Sequence, residues 1–433
     1  MCVVAYPFKY FVPRRAIIIS FTLQVIVYAV GLVGIGYPIM DFLFFGTGSY
    51  GDLTDGLVLT PIYYSPELAA IPTFSQPNSP TTILLYRIFR TVFPSLNVTN
   101  VNLINWSLVM FLVFIVALIS IYLLFKLSGS ISIAILLGMS FPMLFSFGRA
   151  NPDMFCFILL CSYLISIKNK SYKYAIILVA LMGAFKLPFF IFSLLLILAN
   201  KIKHWLLSLV LCGVFFYAPL SFFPYGFRDQ MNSINAVASH YHRDYVLGEG
   251  GSLFNNSLFG FLKLTFYLSG VNIQDSGLLQ VESNNLLVRI HLVIVFLALA
   301  GVAILLMLKR DALLTNFNKS RDDQIILFST LLAGLAILLP FVSSEYRITM
   351  LLPSFALTFK SKTLDKNYLL LNSLLMALIL LPKSFVQFTF QEPFLARHLL
   401  DSLVNPILIC FVCILSVIQL VKVESPNRKR TFK

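Results

Sequence analysis

Long apolar runs broken by short polar connections recur along almost the whole chain. They fall at 16–36, 102–125, 129–147, 152–167, 205–223, 288–308, 324–342, 346–359, 367–382 and 403–422. Most approach the roughly 20 apolar residues needed to cross a bilayer as a helix. A further apolar stretch, 173–201, is interrupted by Lys186-Leu187-Pro188. Proline fits the first turn of a helix and breaks its interior. The stretch therefore predicts a hairpin of two short half-helices with Lys186 at its tip. The pattern predicts an all-α integral membrane bundle of about 10–12 transmembrane helices, forming a single polytopic domain over 1–433.

Composition agrees with the pattern. The chain is 58% hydrophobic and 12% charged, with 42 Phe, whereas soluble domains are nearer half apolar and a quarter charged. The first apolar run lacks a small-x-small cleavage site and reads as a retained signal-anchor. A net charge of +14 would suit nucleic acid if clustered on one surface. Here the cations sit instead in the short connections. Placing Lys9, Arg14, Arg15, Lys126, Lys168, Lys170, Lys173, Lys201, Lys203, Lys360, Lys362, Lys366 and the C-terminal basic run on one side gathers, with Lys309, Arg310, Lys319 and Arg321, 21 of the 32 cations there. That side is cytoplasmic by the positive-inside rule, with both termini on it. Of the 18 acidic residues, 13 fall on the other side, an excess that orientation does not require. The two long polar connections, 37–101 and 221–287, also lie there. They are expected to form the active-site face and to carry short surface helices. Cys410-x-x-Cys413 has no second pair and lies inside an apolar run, so it predicts no metal site.

Four features of the outer face carry chemistry. Asp41 follows the first apolar run and could act as a general base, or cap a surface helix; Asp52, Asp55 and Glu67 follow it. In Gly148-Arg149-Ala150-Asn151-Pro152-Asp153, Asn151 and Pro152 read as a helix start, which leaves Arg149 and Asp153 to pair with each other or to serve a ligand. Lys186, between two apolar half-helices, is an intramembrane cation of the kind that marks function. Beside a helix N-terminus it suits a phosphate, or it snorkels to the interface. Arg347, in Ser344-Glu345-Tyr346-Arg347, could clamp a phosphate or pair with Glu345 or Asp153. His240, His242, Arg243 and Arg228 in the second long connection are weaker candidates.

Together these residues resemble the polytopic GT-C glycosyltransferases, in particular glycosyltransferase family 87, the domain-of-unknown-function 2029 group. The resemblance runs over about 40–355. It is carried by Asp41-Phe42, Gly148-Arg149-Ala150-Asn151, Lys186-Leu187-Pro188, Phe254-Asn255-Asn256-Ser257-Leu258-Phe259-Gly260 and Tyr346-Arg347 with Pro353. It implies a GT-C-type bundle that moves a mannose- or arabinose-like sugar, with inversion, from a polyprenyl-phosphate donor to a lipid-linked or cell-envelope glycan. Asp41 would be the base, with Asp52 and Asp55 as alternatives. Lys186, Arg347 and Arg149 would hold the phosphate. Asn151, Asp153, Asn255, Asn256 and Tyr346 complete the implied substrate-binding set. No cofactor is required, although the carboxylates near Asp41 leave room for a divalent cation. The expected setting is a bacterial cytoplasmic membrane, with no nucleic-acid partner. Two rival readings share these features: a flippase for lipid-linked saccharides, and a surface-polysaccharide polymerase or ligase using the histidines and arginines of the second long connection.

Overall fold

The computed structural model describes residues 15, 18–26, 79–92, 103–149, 151–247, 255–269, 281–308, 321–343, 345–361, 363–381 and 399–422. Among these the chain is built of helices. After a helical piece at 18–26 come α1 (Pro80–Val92), α2 (Leu103–Ser128), α3 (Ile131–Gly138), α4 (Phe141–Arg149), α5 (Asp153–Lys168) and α6 (Tyr172–Phe185). A 3-10 turn, Leu187–Ser193, leads into α7 (Leu194–Leu198), followed by α8 (Ile202–Tyr217), α9 (Phe227–Tyr241), α10 (Leu258–Leu268), α11 (Val281–Leu308) and α12 (Arg321–Leu338). A second 3-10 turn, Glu345–Leu351, opens α13 (Leu352–Thr358), and α14 (Lys366–Leu380) and α15 (Leu399–Lys422) complete the described chain.

Four helices among the described residues are long and apolar enough to cross a membrane: Met110–Ser128, Ile202–Phe222, Leu286–Leu305 and Asp401–Lys422. Their outward faces expose large side chains such as Phe111, Phe114, Val210, Phe296, Met307 and Phe411. Apolar surface of that extent suits a bilayer and not water. At the centre stands α12, buried at every residue from Asp323 to Leu338. A helix that is apolar on all sides must be enclosed by others, and α12 packs against α5, α13, α15 and the Leu187–Ser193 turn. In the second long connection α10 packs against α11 and α15 and buries Phe259, Lys263 and Leu264.

Polar side chains mend the breaks in these short helices. Gln24, buried in the 18–26 piece, donates from Nε2 to the Met139 carbonyl at 2.9 Å. Its Oε1 accepts the Phe141 N–H at 3.0 Å. The gap between α3 and α4 thus has its orphaned backbone groups satisfied from the first apolar segment, as an apolar surround demands.

The bundle has two chemically distinct ends. α5 runs from Asp153 to Lys168, about 22 Å at helical rise. At its far end Lys168 meets Asp322, and Lys360 donates to the Lys126 carbonyl. At its near end Asp153 meets Lys186 and Arg347. α6 and the segment ending in α7 lead away from the Lys168 end and back, since Lys201 lies over the Tyr172 ring at 5.1 Å. The hairpin with Lys186 at its tip is therefore present. Among the described residues Lys126, Lys168 and Lys360 thus lie at one end, and Asp153, Lys186 and Arg347 at the other.

Candidate functional site

Asp153 is the centre of the near-end cluster. The chain reaches it through Asn151, whose Oδ1 accepts the Asp153 N–H at 2.8 Å, with Pro152 at the N-cap of α5. Asn151 is thus a helix-start residue and is itself buried. Satisfying the exposed N–H groups of the first turn is the ordinary work of such a side chain.

Lys186 arrives by a helix break. Its own N–H still bonds the Met182 carbonyl at 3.0 Å, and its carbonyl accepts the Phe189 N–H at 3.0 Å. Its backbone is extended (φ −146°, ψ 103°). Pro188 has no N–H to give and its ring would clash with the carbonyl four residues back, so the α-helix cannot continue past this point and a new turn starts at Leu187. Phe155 of α5 and Phe185 of α6 stack with ring centres 6.3 Å apart, which fixes the two helix ends side by side. Lys186 Nζ then lies 3.2 Å from Asp153 Oδ1.

Arg347 comes from the 3-10 turn before α13, which packs on α4 and α5. Its Nη1 donates to the Val342 carbonyl at 2.5 Å, and its Nε lies 3.7 Å from Asp153 Oδ2. Asp153 is wholly buried, whereas the Lys186 and Arg347 side chains keep 18% and 12% of their surface exposed. One carboxylate and two cations leave these three side chains one positive charge in excess. The carboxylate lies inside and the cations lie between it and the accessible side. Such an arrangement can hold an anion against the outer faces of Lys186 and Arg347, with Asp153 setting their positions.

The Asn255–Ser257 segment forms a second polar site. Asn255 Nδ2 donates to the Phe341 carbonyl at 3.1 Å. Its Oδ1 accepts the N–H of Ser257 at 3.0 Å and of Ser343 at 2.8 Å, and its own N–H donates to Ser402 Oγ at 2.9 Å. Asn256 donates its N–H to the Ser343 carbonyl at 2.6 Å, and its Oδ1 accepts from Asn405 Nδ2 at 2.9 Å. A Cβ on Gly260 would stand 2.6 Å from the Asn255 side chain, so the glycine gives that amide its room. These bonds fasten the segment to residues 341–343, beside the Val342 carbonyl that receives Arg347. Asp401 and Asn405, one turn apart on α15 and both buried, complete a polar cluster that the sequence reading missed. Their i, i+4 spacing at the head of the last apolar run was its only trace.

Other sequence-predicted residues are placed less fully. Asp41, Asp52, Asp55 and Glu67 lie outside the described residues, as do the side chains of Arg149, Tyr346, His240 and Arg243. His242 is described and sets its ring edge-on to Phe341 at 5.9 Å. Among the described residues no group of three or more His, Cys, Asp or Glu side chains could hold a metal ion.

No protein-family model, curated protein or solved structure matches the chain.

Proposed function

We propose that this protein is a membrane glycosyltransferase. It would move a mannose- or arabinose-like sugar from a polyprenyl-phosphate donor to a lipid-linked or cell-envelope glycan at the extracytoplasmic face, within a GT-C-type bundle of about 10–12 crossings. The observation that carries the reading is the Asp153–Lys186–Arg347 cluster: two partly exposed cations around a buried carboxylate, at one end of the bundle. A prenyl-phosphate sugar has a matching shape, with an apolar tail for the helices and one phosphate for the cations.

In this scheme Asp41 removes the proton from the acceptor hydroxyl, and the oxygen attacks the anomeric carbon from the face opposite the phosphate. The C–O bond to phosphate breaks as the new glycosidic bond forms, which inverts the centre. The departing prenyl phosphate gains negative charge, and Lys186 and Arg347 offset it. Asp153 positions those two cations and does not touch the sugar. Arg149, at the end of α4, is a further candidate for the phosphate. The described part of the first apolar segment, which leads on to Asp41, is anchored through Gln24 to the α3–α4 break, and α4 leads directly into Asn151 and Asp153. The scheme needs no cofactor.

The deciding experiment follows sugar transfer from synthetic polyprenyl-phosphate mannose, arabinose or glucose by the purified protein in host lipid extract, beside folded Asp41→Asn. Transfer by the wild type and its loss in the variant support the reaction and its base. Loss in Asp52→Asn or Asp55→Asn instead keeps the reaction and moves the base. The broken helix at Lys186 also favours a flippase. Movement of labelled lipid-linked saccharide across proteoliposomes, with no donor consumed, would replace the enzyme by that reading.

A further inference from the structure

At the other end of the bundle three lysines come together from three separate segments, one of them paired with Asp322. Lys126 lies at the end of α2, Lys168 at the end of α5, and Lys360 just past α13. Lys168 Nζ pairs with Asp322 at 2.5 Å, and Lys360 Nζ donates to the Lys126 carbonyl at 2.5 Å. The chain makes room for this approach at Gly129, which has φ +72° and where a Cβ would stand 2.7 Å from Lys360 Cε. Each lysine caps the negative end of a helix, and even with Asp323, held by Ser361 and Thr363 beside Lys360, counted with Asp322, three ammonium groups and two carboxylates leave one positive charge in excess among the described residues. The Lys360 ammonium is pushed below its ordinary value by burial, then by Lys168, with Lys126 adding and Asp322 opposing. Among the described residues the cluster is short of an anion.

The surface beside it says what kind of anion. Phe111, Phe114, Leu118 and Tyr122, spaced three and four apart on α2, are each exposed by half or more and form one outward stripe. The stripe ends where the Lys126 ammonium lies 5.3 Å from the Tyr122 ring centre. From Phe111 to Lys126 the helix rises about 22 Å, more than the roughly 15 Å hydrocarbon depth of one leaflet. An aromatic ring at the rim followed by cations is the arrangement that meets a lipid headgroup.

We infer that Lys126, Lys168 and Lys360 form a binding site for the phosphate of an anionic phospholipid, whose acyl chain lies along the Phe111–Tyr122 stripe. The site is independent of the Asp153 cluster.

The test titrates the full-length protein in detergent with phosphatidylglycerol, phosphatidylcholine and inorganic phosphate, reading melting temperature and lipid retained in native mass spectra. Phosphatidylglycerol is expected to bind and raise the melting temperature, with phosphatidylcholine and phosphate far weaker. Lys126→Gln and Lys360→Gln should each weaken phosphatidylglycerol about fivefold, as one surface cation near an anionic lipid does, while Lys360→Arg retains it. Lys126 is exposed, so its variant tests the site on a residue that burial does not touch. Equal shifts with both lipids, or an unchanged preference in folded Lys126→Gln, would overturn the site. Binding of phosphate as tight as that of phosphatidylglycerol would overturn the lipid as its ligand.

Discussion

Asp153 Oδ1 stands 3.2 Å from Lys186 Nζ, although the whole of α5 and α6 separates the two residues along the chain. Each needs the other. A carboxylate with no exposed surface carries a desolvation penalty of several kcal/mol unless a cation answers it, and an ammonium at a break between apolar half-helices is costly for the same reason. Arg347 adds a second cation at 3.7 Å, so three helical segments converge on one buried charge.

That convergence predicts a non-additive stability pattern. Lys186→Met alone leaves Arg347 to answer Asp153 and should be tolerated in part. Lys186→Met with Arg347→Met strands the carboxylate and should cost about 3–5 kcal/mol. Adding Asp153→Leu to that pair should restore much of the loss, making the triple variant more stable than the double. Unfolding in detergent, followed by circular dichroism, measures the order. A triple variant weaker than the double would show that the three charges do not act as a unit.

Gln24 predicts a second effect far from any chemistry. Gln24→Leu keeps the volume but strands the Met139 carbonyl and the Phe141 N–H, which its side chain now satisfies. Each buried orphan costs about 1–3 kcal/mol, so the melting temperature should fall clearly. Gln24→Glu keeps the acceptor for Phe141 but, when ionised, sets an unpaired buried carboxylate against the Met139 carbonyl. At neutral pH it should fall at least as far as Gln24→Leu.

The features legible in the sequence are those that local physics fixes. The break at Lys186-Leu187-Pro188 follows from proline's ring, the role of Asn151 from its place before a helix, and the gathering of Lys126, Lys168 and Lys360 at one end from their places between apolar runs. The partners of Asp153 were legible only as alternatives, Arg347 among them and Lys186 not. Arg149, Lys186 and Arg347 all offered a charge of the right sign, and only packing brings the last two within reach. The fastening of Asn255 and Asn256 to residues 341–343 and to α15 was also hidden, because bonds between amides and distant backbone leave no periodic mark. The seven-residue Leu352–Thr358 helix shows the same limit. Its apolar run, 346–359, predicted a near-crossing, yet its first half is a 3-10 turn that carries Arg347 to the site.

Asn255 and Asn256 can be separated by measurement. Asn255→Ala removes three side-chain bonds, including those to two backbone N–H groups, and should lower stability by at least about 2 kcal/mol. Asn256→Ala removes the bond from Asn405 and should lower it by about 1 kcal/mol. Thermal unfolding beside the donor KM distinguishes fastening from substrate contact. A folded, equally stable Asn255→Ala with raised KM would make Asn255 a sugar-binding residue and contradict the fastening role.

Lys360 gives the chain a pH dependence of definite sign. Burial and the neighbouring cations Lys168 and Lys126 lower its folded value below the ordinary 10.5, and Asp322 opposes them only in part. Between the lowered folded value and 10.5 the unfolded chain binds more protons than the folded one, so stability rises with pH across that window. Below the window Lys360 is charged in both states, and its penalty on folding is fully present. Replacing it with glutamine should remove this rise: Lys360→Gln gains on wild type at neutral pH, and the advantage shrinks as pH approaches 10.5. Melting temperatures of both proteins from neutral pH upward, in zwitterionic detergent without anionic lipid, make the comparison. Parallel curves would mean that the lysine crowding at this end has no hold on folding.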